Sequence, residues 1–227
     1  MHNNSTLLRR LRHDLRTRLP EAGNRKSPFV RRLAAQYAKG CLPARREDIL
    51  AACRDLLSSG DGWEHMIACL WLNRSITSSG SGDFRLFERW LHEHIFSWGT
   101  CDDFCRWVLN PLVEADIGLF PVIRGWTESA NTWVRRASAV AFIKWRDGGY
   151  VVATPLRYVF EIADRLMQDK DPHVQKGLGW MLKAASVRHP KRVYDYLMRS
   201  RRLMPRTAFR YAVEKLPLPL RRKAMTS

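Results

Sequence analysis

The segment Phe96-Ser97-Trp98-Gly99-Thr100-Cys101-Asp102-Asp103-Phe104-Cys105-Arg106-Trp107 puts an indole and a carboxylate close together where a helix can begin. Thr100 and Asp102 are both of the type that opens helices. With Trp98 ahead of that helix and Asp102 in its first turn, the two side chains would lie beside one another at the lip of a groove. An indole face and a fixed carboxylate both favour positive charge, so the pair could hold a cationic sugar or base. Plain structural duties fit the same residues: Asp102 as an N-cap or dipole-compensating group, and Trp98 as a packing residue. Spacing alone favours these structural duties.

Two further strings join an aromatic ring to basic groups on one helix: Trp133-Val134-Arg135-Arg136-Ala137, and Val174 to Lys183 with Lys176 and Trp180 inside it. Each could clamp a phosphate beside a stacking residue. Taken singly, Trp133 and Trp180 fit a core better than a site, and the basic groups fit a solvated face better than a contact. His92, His94, Cys101 and Cys105 are zinc-ligand types, with the two thiols one helical turn apart. Their spacing matches no standard finger and buried thiols explain them, so neither a metal nor any other cofactor is expected. A phosphate-cradling Walker loop, a Gly-x-Ser-x-Gly elbow and a His-Glu-x-x-His helix are all missing from the sequence, which argues against nucleotide hydrolysis and protease chemistry.

The elements that would position these groups follow from composition and period. At 227 residues and 45% hydrophobic content, the chain can bury a sizeable core, and one continuous domain over 1–227 is expected. Lys and Arg number 39 against 22 Asp and Glu, a formal charge of +17 that points to a polyanionic partner. Simple solubility, or unspecific attraction to anionic membranes, is the competing explanation. No apolar run is long enough to span a bilayer and the first residues lack the apolar core of a secretory signal, so a soluble, cytoplasmic, monomeric protein is expected. The Arg-rich opening resembles an organelle transit peptide, but Leu7, Leu8, Leu11, Leu15 and Leu19 form the stripe of an ordinary first helix. The five cysteines are scattered without a Cys-x-x-Cys pair, which suits reduced, mostly buried thiols.

Apolar residues recur at three-to-four spacing almost throughout, and only Tyr150 to Ala153 hints at a strand, so the predicted class is all-α. Breaks at Pro20–Pro28, Gly40–Pro43, Ser58–Gly62, Ser78–Asp83, Asp147–Pro155, Asp169–Pro172 and His189–Pro190 separate helices of ordinary length. Ser78 to Asp83 suits a connecting loop, a hinge at most. Helix starts near Asp83, Asp102, Leu119, Thr132, Leu156, Asp171 and Lys191 suggest antiparallel pairs. Degenerate repeats of this kind predict a HEAT-like curved solenoid with a basic concave face.

From Phe96 to Lys215 the chain resembles the HEAT-like-repeat alkylpurine DNA glycosylases of the AlkD family. The resemblance is carried by an ordered set: Trp98-x-x-x-Asp102, Trp126-x-x-Ser129-x-Asn131-x-Trp133-x-x-Arg136, Gln175-Lys176-x-x-Gly179-Trp180-x-Leu182 and Arg206-x-Ala208. It implies a lesion framed by Trp98 and Trp180, with Asp102 catalytic and a DNA-backbone grip from Arg136, Lys183, Arg135, Lys176 and Arg206. The implied activity is hydrolysis of the N-glycosidic bond of cationic N3- or N7-alkylated purines in duplex DNA, leaving an abasic site for base excision repair. The alternative is a noncatalytic binder of damaged, branched or bent DNA. Lys183 replaces the arginine usual in the motif, Pro172-His173 replaces an expected aromatic pair, and the stretch after Tyr37-Ala38-Lys39 is shortened to Gly40-Cys41-Leu42-Pro43.

Overall fold

The structure, a computed structural model, describes residues 2–40, 45–76, 81–144, 150–151 and 154–226. It is all-α apart from a two-residue antiparallel ribbon, Ile143–Lys144 against Tyr150–Val151. Of the predicted breaks, residues 41–43 of Gly40–Pro43 with Cys41, residues 78–80 of Ser78–Asp83, and residues 147–149 and 152–153 of Asp147–Pro155 lie outside the described residues, whereas Ser81–Asp83 are not loop but the first residues of the helix Ser81–His94. No helix among the described residues is long and apolar enough to cross a membrane. The chain divides into two compact units, residues 1–108 and 109–227, the division falling inside a π-helical turn, Cys105–Leu109.

The first unit opens with α1 (His2–Arg18), whose Leu7, Leu8, Leu11 and Leu15 are all buried, so the leucine stripe is that of a packed first helix. Next comes α2 (Lys26–Gly40), with Pro28 tolerated in its first turn, where the missing N–H has no intrahelical partner to lose. After α3 (Arg46–Leu57), α4 (Gly62–Ser75) is apolar almost all round and occupies the centre, packed against α2 and α3. Asp61 caps α4, accepting from the Trp63 and Glu64 N–H groups at 2.7 and 2.9 Å. The Trp71 indole N–H donates to the Ala34 carbonyl at 2.9 Å, which fixes the α2–α4 register. Two more helices, α5 (Ser81–His94) and α6 (Trp98–Phe104), complete this unit.

In the second unit α7 (Asn110–Ala115) and α8 (Phe120–Gly125) lead to α9 (Thr132–Val140), α10 (Leu156–Leu166), α11 (Pro172–Arg188), α12 (Pro190–Ser200), α13 (Arg206–Ala212) and α14 (Leu218–Thr226). The organising element is α11, which packs on α9, α10, α12 and α13. Asp171 accepts from the His173 and Val174 N–H groups and Pro172 takes the first helical position, so the residues that depart from the family motif form an ordinary helix start. Gly179 allows a close approach of α11 and α13: an added Cβ would meet the Ala208 carbonyl and the Tyr211 Cβ, both at 2.6 Å. α11 and α13 are therefore in near backbone contact.

Candidate active site

α6 begins at Trp98, four residues earlier than Asp102 suggests, because Ser97 is the cap. Its hydroxyl accepts from the Thr100 N–H at 3.2 Å while Thr100 Oγ1 accepts from the Ser97 N–H at 3.0 Å, a reciprocal capping box. Neither Thr100 nor Asp102 opens the helix; Asp102 sits in its second turn. The capping role open to Asp102 in the sequence is thus held by Ser97. Ser97→Ala should cost about 0.5–2 kcal/mol of stability, and a urea midpoint equal to wild type would show that the box contributes nothing.

Thr100, Cys101, Phe104 and Cys105 turn inward, the last three with 0% exposure, and seat α6 on α4. Beside that buried stripe lie Trp98 and Asp102, one turn apart and therefore neighbours on the helix surface. Trp98 is 59% exposed, which no packing role explains, and Asp102 is half-buried. Phe96, also exposed, meets the buried His65 ring edge-on at 6.3 Å, so a second ring stands at the same helix start. Burial lowers His65 to about 3, keeping it a neutral imidazole beneath the site. In the π-helical turn that follows, the Trp107 carbonyl accepts from Asn73 Nδ2 of α4 at 2.7 Å.

Sequence reading missed Asp103. Burial pushes its carboxyl from about 3.8 up to about 6, against the pull of Arg106 and Arg31 and with a further push from Asp102. Below about pH 3.8 both folded and unfolded chains carry this proton. Between that value and about 6 the unfolded chain releases it first, so the folded state loses stability as pH rises. Above about pH 6 the deficit is constant. Asp103→Asn should therefore match wild type near pH 3 and exceed it at neutral pH in urea unfolding; parallel wild-type and variant curves would sink the assignment.

In the second unit the predicted basic residues are largely built into the fold. Arg135 donates to Asp169 at 2.7 Å and to the Ser129 and Ala130 carbonyls at 2.8 and 3.1 Å. Arg136 is 5% exposed and donates to the His173 carbonyl at 2.5 Å, joining α9 to α11. The Trp133 and His173 rings meet at 5.1 Å over this junction. Lys183 pairs with Glu214 at 2.8 Å. Lys176 and Arg206 are exposed, while Trp180 is half-buried on α11. Cys101 and Cys105 are buried, His92 is exposed, and no metal-binding group of three or more His, Cys, Asp or Glu occurs among the described residues.

Residues 24–216 match the family of DNA alkylation repair enzymes, a span covering most of the chain. The protein belongs to that family. Membership makes DNA the partner and alkylation repair the process. No curated protein matches the sequence. On α6 of this DNA alkylation repair protein, the exposed Trp98 indole and the half-buried Asp102 carboxylate are both groups that favour positive charge.

Proposed function

We propose that this DNA alkylation repair protein is a monofunctional glycosylase that hydrolyses the N-glycosidic bond of cationic N3- or N7-alkylated purines in duplex DNA, leaving an abasic site. The observation that carries the reading is Trp98, 59% exposed and one helical turn from the half-buried Asp102. Alkylation at N3 or N7 makes the purine cationic, so it departs as a neutral base and strong acid catalysis is unnecessary. What the protein must supply is stabilisation of the oxocarbenium-like sugar and a placed water. A single fixed carboxylate does both, by charge and by hydrogen bonding; Asp102 is assigned that role.

The Trp98 face favours the cationic nucleotide by about 0.5–2 kcal/mol depending on desolvation, a term that a neutral undamaged nucleotide largely lacks. Trp180 is assigned as a second lesion-contacting indole. Lys176, Lys183 and Arg206 are assigned to the DNA backbone together with Arg135, whose bonds within the fold hold it in a fixed position, while the buried Arg136 supports that grip from beneath by joining α9 to α11. No lysine serves as an imine-forming nucleophile, so the product is an abasic site without strand cleavage. Incubation with a duplex carrying one N7-methylguanine should release the base and create an alkali-sensitive site, with duplex affinity falling steeply as salt rises. Binding without release would replace this reading with that of a noncatalytic DNA-structure binder.

A further inference from the structure

Three surface cavities differ in their charge. One between α1 and α2, of about 630 Å³, is lined by Arg9, Arg10 and His13 but also by Asp14, which accepts from the Tyr37 hydroxyl. Another, at α3, has Arg12 beside Asp55, already paired at 2.6 Å. The third, of about 440 Å³, is in the second unit and is lined by Arg201, Met204, Arg206, Phe209, Arg210 and Met225, three arginines with no carboxylate.

Its construction is specific. Arg206 and Arg210 are both exposed and stand at i and i+4 on α13, so two guanidinium groups share one face. Like charges in that register weaken a helix rather than support it, and no lining carboxylate offsets them. Arg201 forms the rear wall, donating to the Ala224 carbonyl at the end of α14 and lying over the Phe209 ring at 5.0 Å. The floor is apolar: Met204 and Phe209 are buried, while Met225, 51% exposed, forms the rim.

We propose that this cavity binds a nucleotide with a terminal phosphate monoester, its base over Phe209, Met204 and Met225 and its phosphate between Arg206 and Arg210. A bare anion needs the arginines but not an apolar floor, and an apolar ligand needs the floor but not the arginines. The volume falls within the roughly 300–1,000 Å³ of small-molecule sites. A monoester carries about −1.5 to −2 charges at neutral pH, which suits two guanidinium groups on one helix face. Sulfur and ring contacts favour a planar base. The ligand is either a free mononucleotide or a phosphorylated strand end; the inference does not rest on glycosylase chemistry, and Arg206, assigned above to the DNA backbone, is the one residue the two roles share.

Calorimetric titration of the whole protein with dAMP, deoxyadenosine, inorganic phosphate and a single strand with and without its 5′-phosphate tests it. dAMP should bind saturably and at least about tenfold more tightly than deoxyadenosine or phosphate. Arg210→Ala should weaken dAMP by about tenfold or more, the loss of a charge-assisted contact. Met225→Ser should weaken dAMP but not phosphate and should leave excision of N7-methylguanine unchanged, which separates this site from the α6 surface. A phosphorylated strand tighter both than dAMP and than the same strand without its 5′-phosphate assigns a strand end, and dAMP binding with no gain from the 5′-phosphate assigns a free nucleotide; either supports the site. Equal affinity for phosphate and dAMP, or indifference of dAMP to Arg210→Ala with an unaltered melting curve, overturns it.

Discussion

Asp102→Asn is expected to slow release of N7-methylguanine by on the order of 10²–10³-fold, the typical loss when one preorganised electrostatic contact to a transition state is removed. The amide keeps the size of the carboxylate and much of its hydrogen bonding but lacks the negative charge that opposes an oxocarbenium-like sugar. Folding should be little disturbed, because the start of α6 is secured by Ser97 and Thr100 and the seat on α4 by Cys101, Phe104 and Cys105. Duplex affinity should therefore stay near wild type while the single-turnover rate falls. Asp103→Asn is the natural control: it removes a carboxylate from the adjacent position yet should retain excision within a few-fold of wild type. Wild-type release by Asp102→Asn would remove Asp102 from the chemistry; equal losses in both variants would point to the general field of the two carboxylates.

Gly179→Ala is expected to destabilise the protein by about 1–3 kcal/mol, the range for forcing extra volume into a packed interior. Alanine is intrinsically better in a helix by up to about 1 kcal/mol, so the sign depends on whether the neighbour can yield. Here it cannot do so cheaply, since the new Cβ would stand 2.6 Å from the Ala208 carbonyl oxygen, 2.6 Å from the Tyr211 Cβ and 3.1 Å from the Ala208 Cα. These atoms move only if α13 moves, and α13 carries Arg206. Gly177, two residues earlier on α11, makes the comparison: its added Cβ would meet Arg136 Cγ at 3.3 Å, Arg136 Nη1 at 3.4 Å and Val140 Cγ2 at 3.5 Å, all side-chain atoms and none closer than 3.3 Å, so a shift of a few tenths of an ångström suffices. Gly177→Ala should stay within about 1 kcal/mol of wild type. Urea unfolding of both variants decides the matter, and a Gly179→Ala protein as stable as Gly177→Ala would mean that the α11–α13 approach is looser than described.

Legibility in the sequence tracked how local the determining physics is. Asn131 before Thr132 and Asp171 before Pro172 announce α9 and α11 because a cap acts within three residues. The start of α6 is harder to read, since Ser97, Thr100 and Asp102 are all capping types, and only the backbone conformation selects Ser97. No change of composition marks the division at Val108 and Leu109, which falls within an unbroken helical stretch. Arg135 and Arg136 look the same in sequence whether they face solvent or a neighbouring helix; their partners Asp169 and His173 lie more than thirty residues away. Asp103 is likewise defined by the packing that desolvates it, a tertiary property beside an otherwise readable Trp98–Asp102 spacing.

The distribution of cysteines has a chemical consequence for a protein whose substrates arise from electrophiles. Thiolate sulfur is among the most nucleophilic groups in a protein, and alkylating agents that modify purine nitrogens also modify it. Cys53, Cys69, Cys101 and Cys105 are all at 0% exposure, and burial pushes the Cys53 and Cys69 thiols well above their ordinary range. A protonated, enclosed thiol is a poor nucleophile. The packing of α3 and α6 on α4 thus also withdraws these four sulfurs from the reagents that damage the DNA.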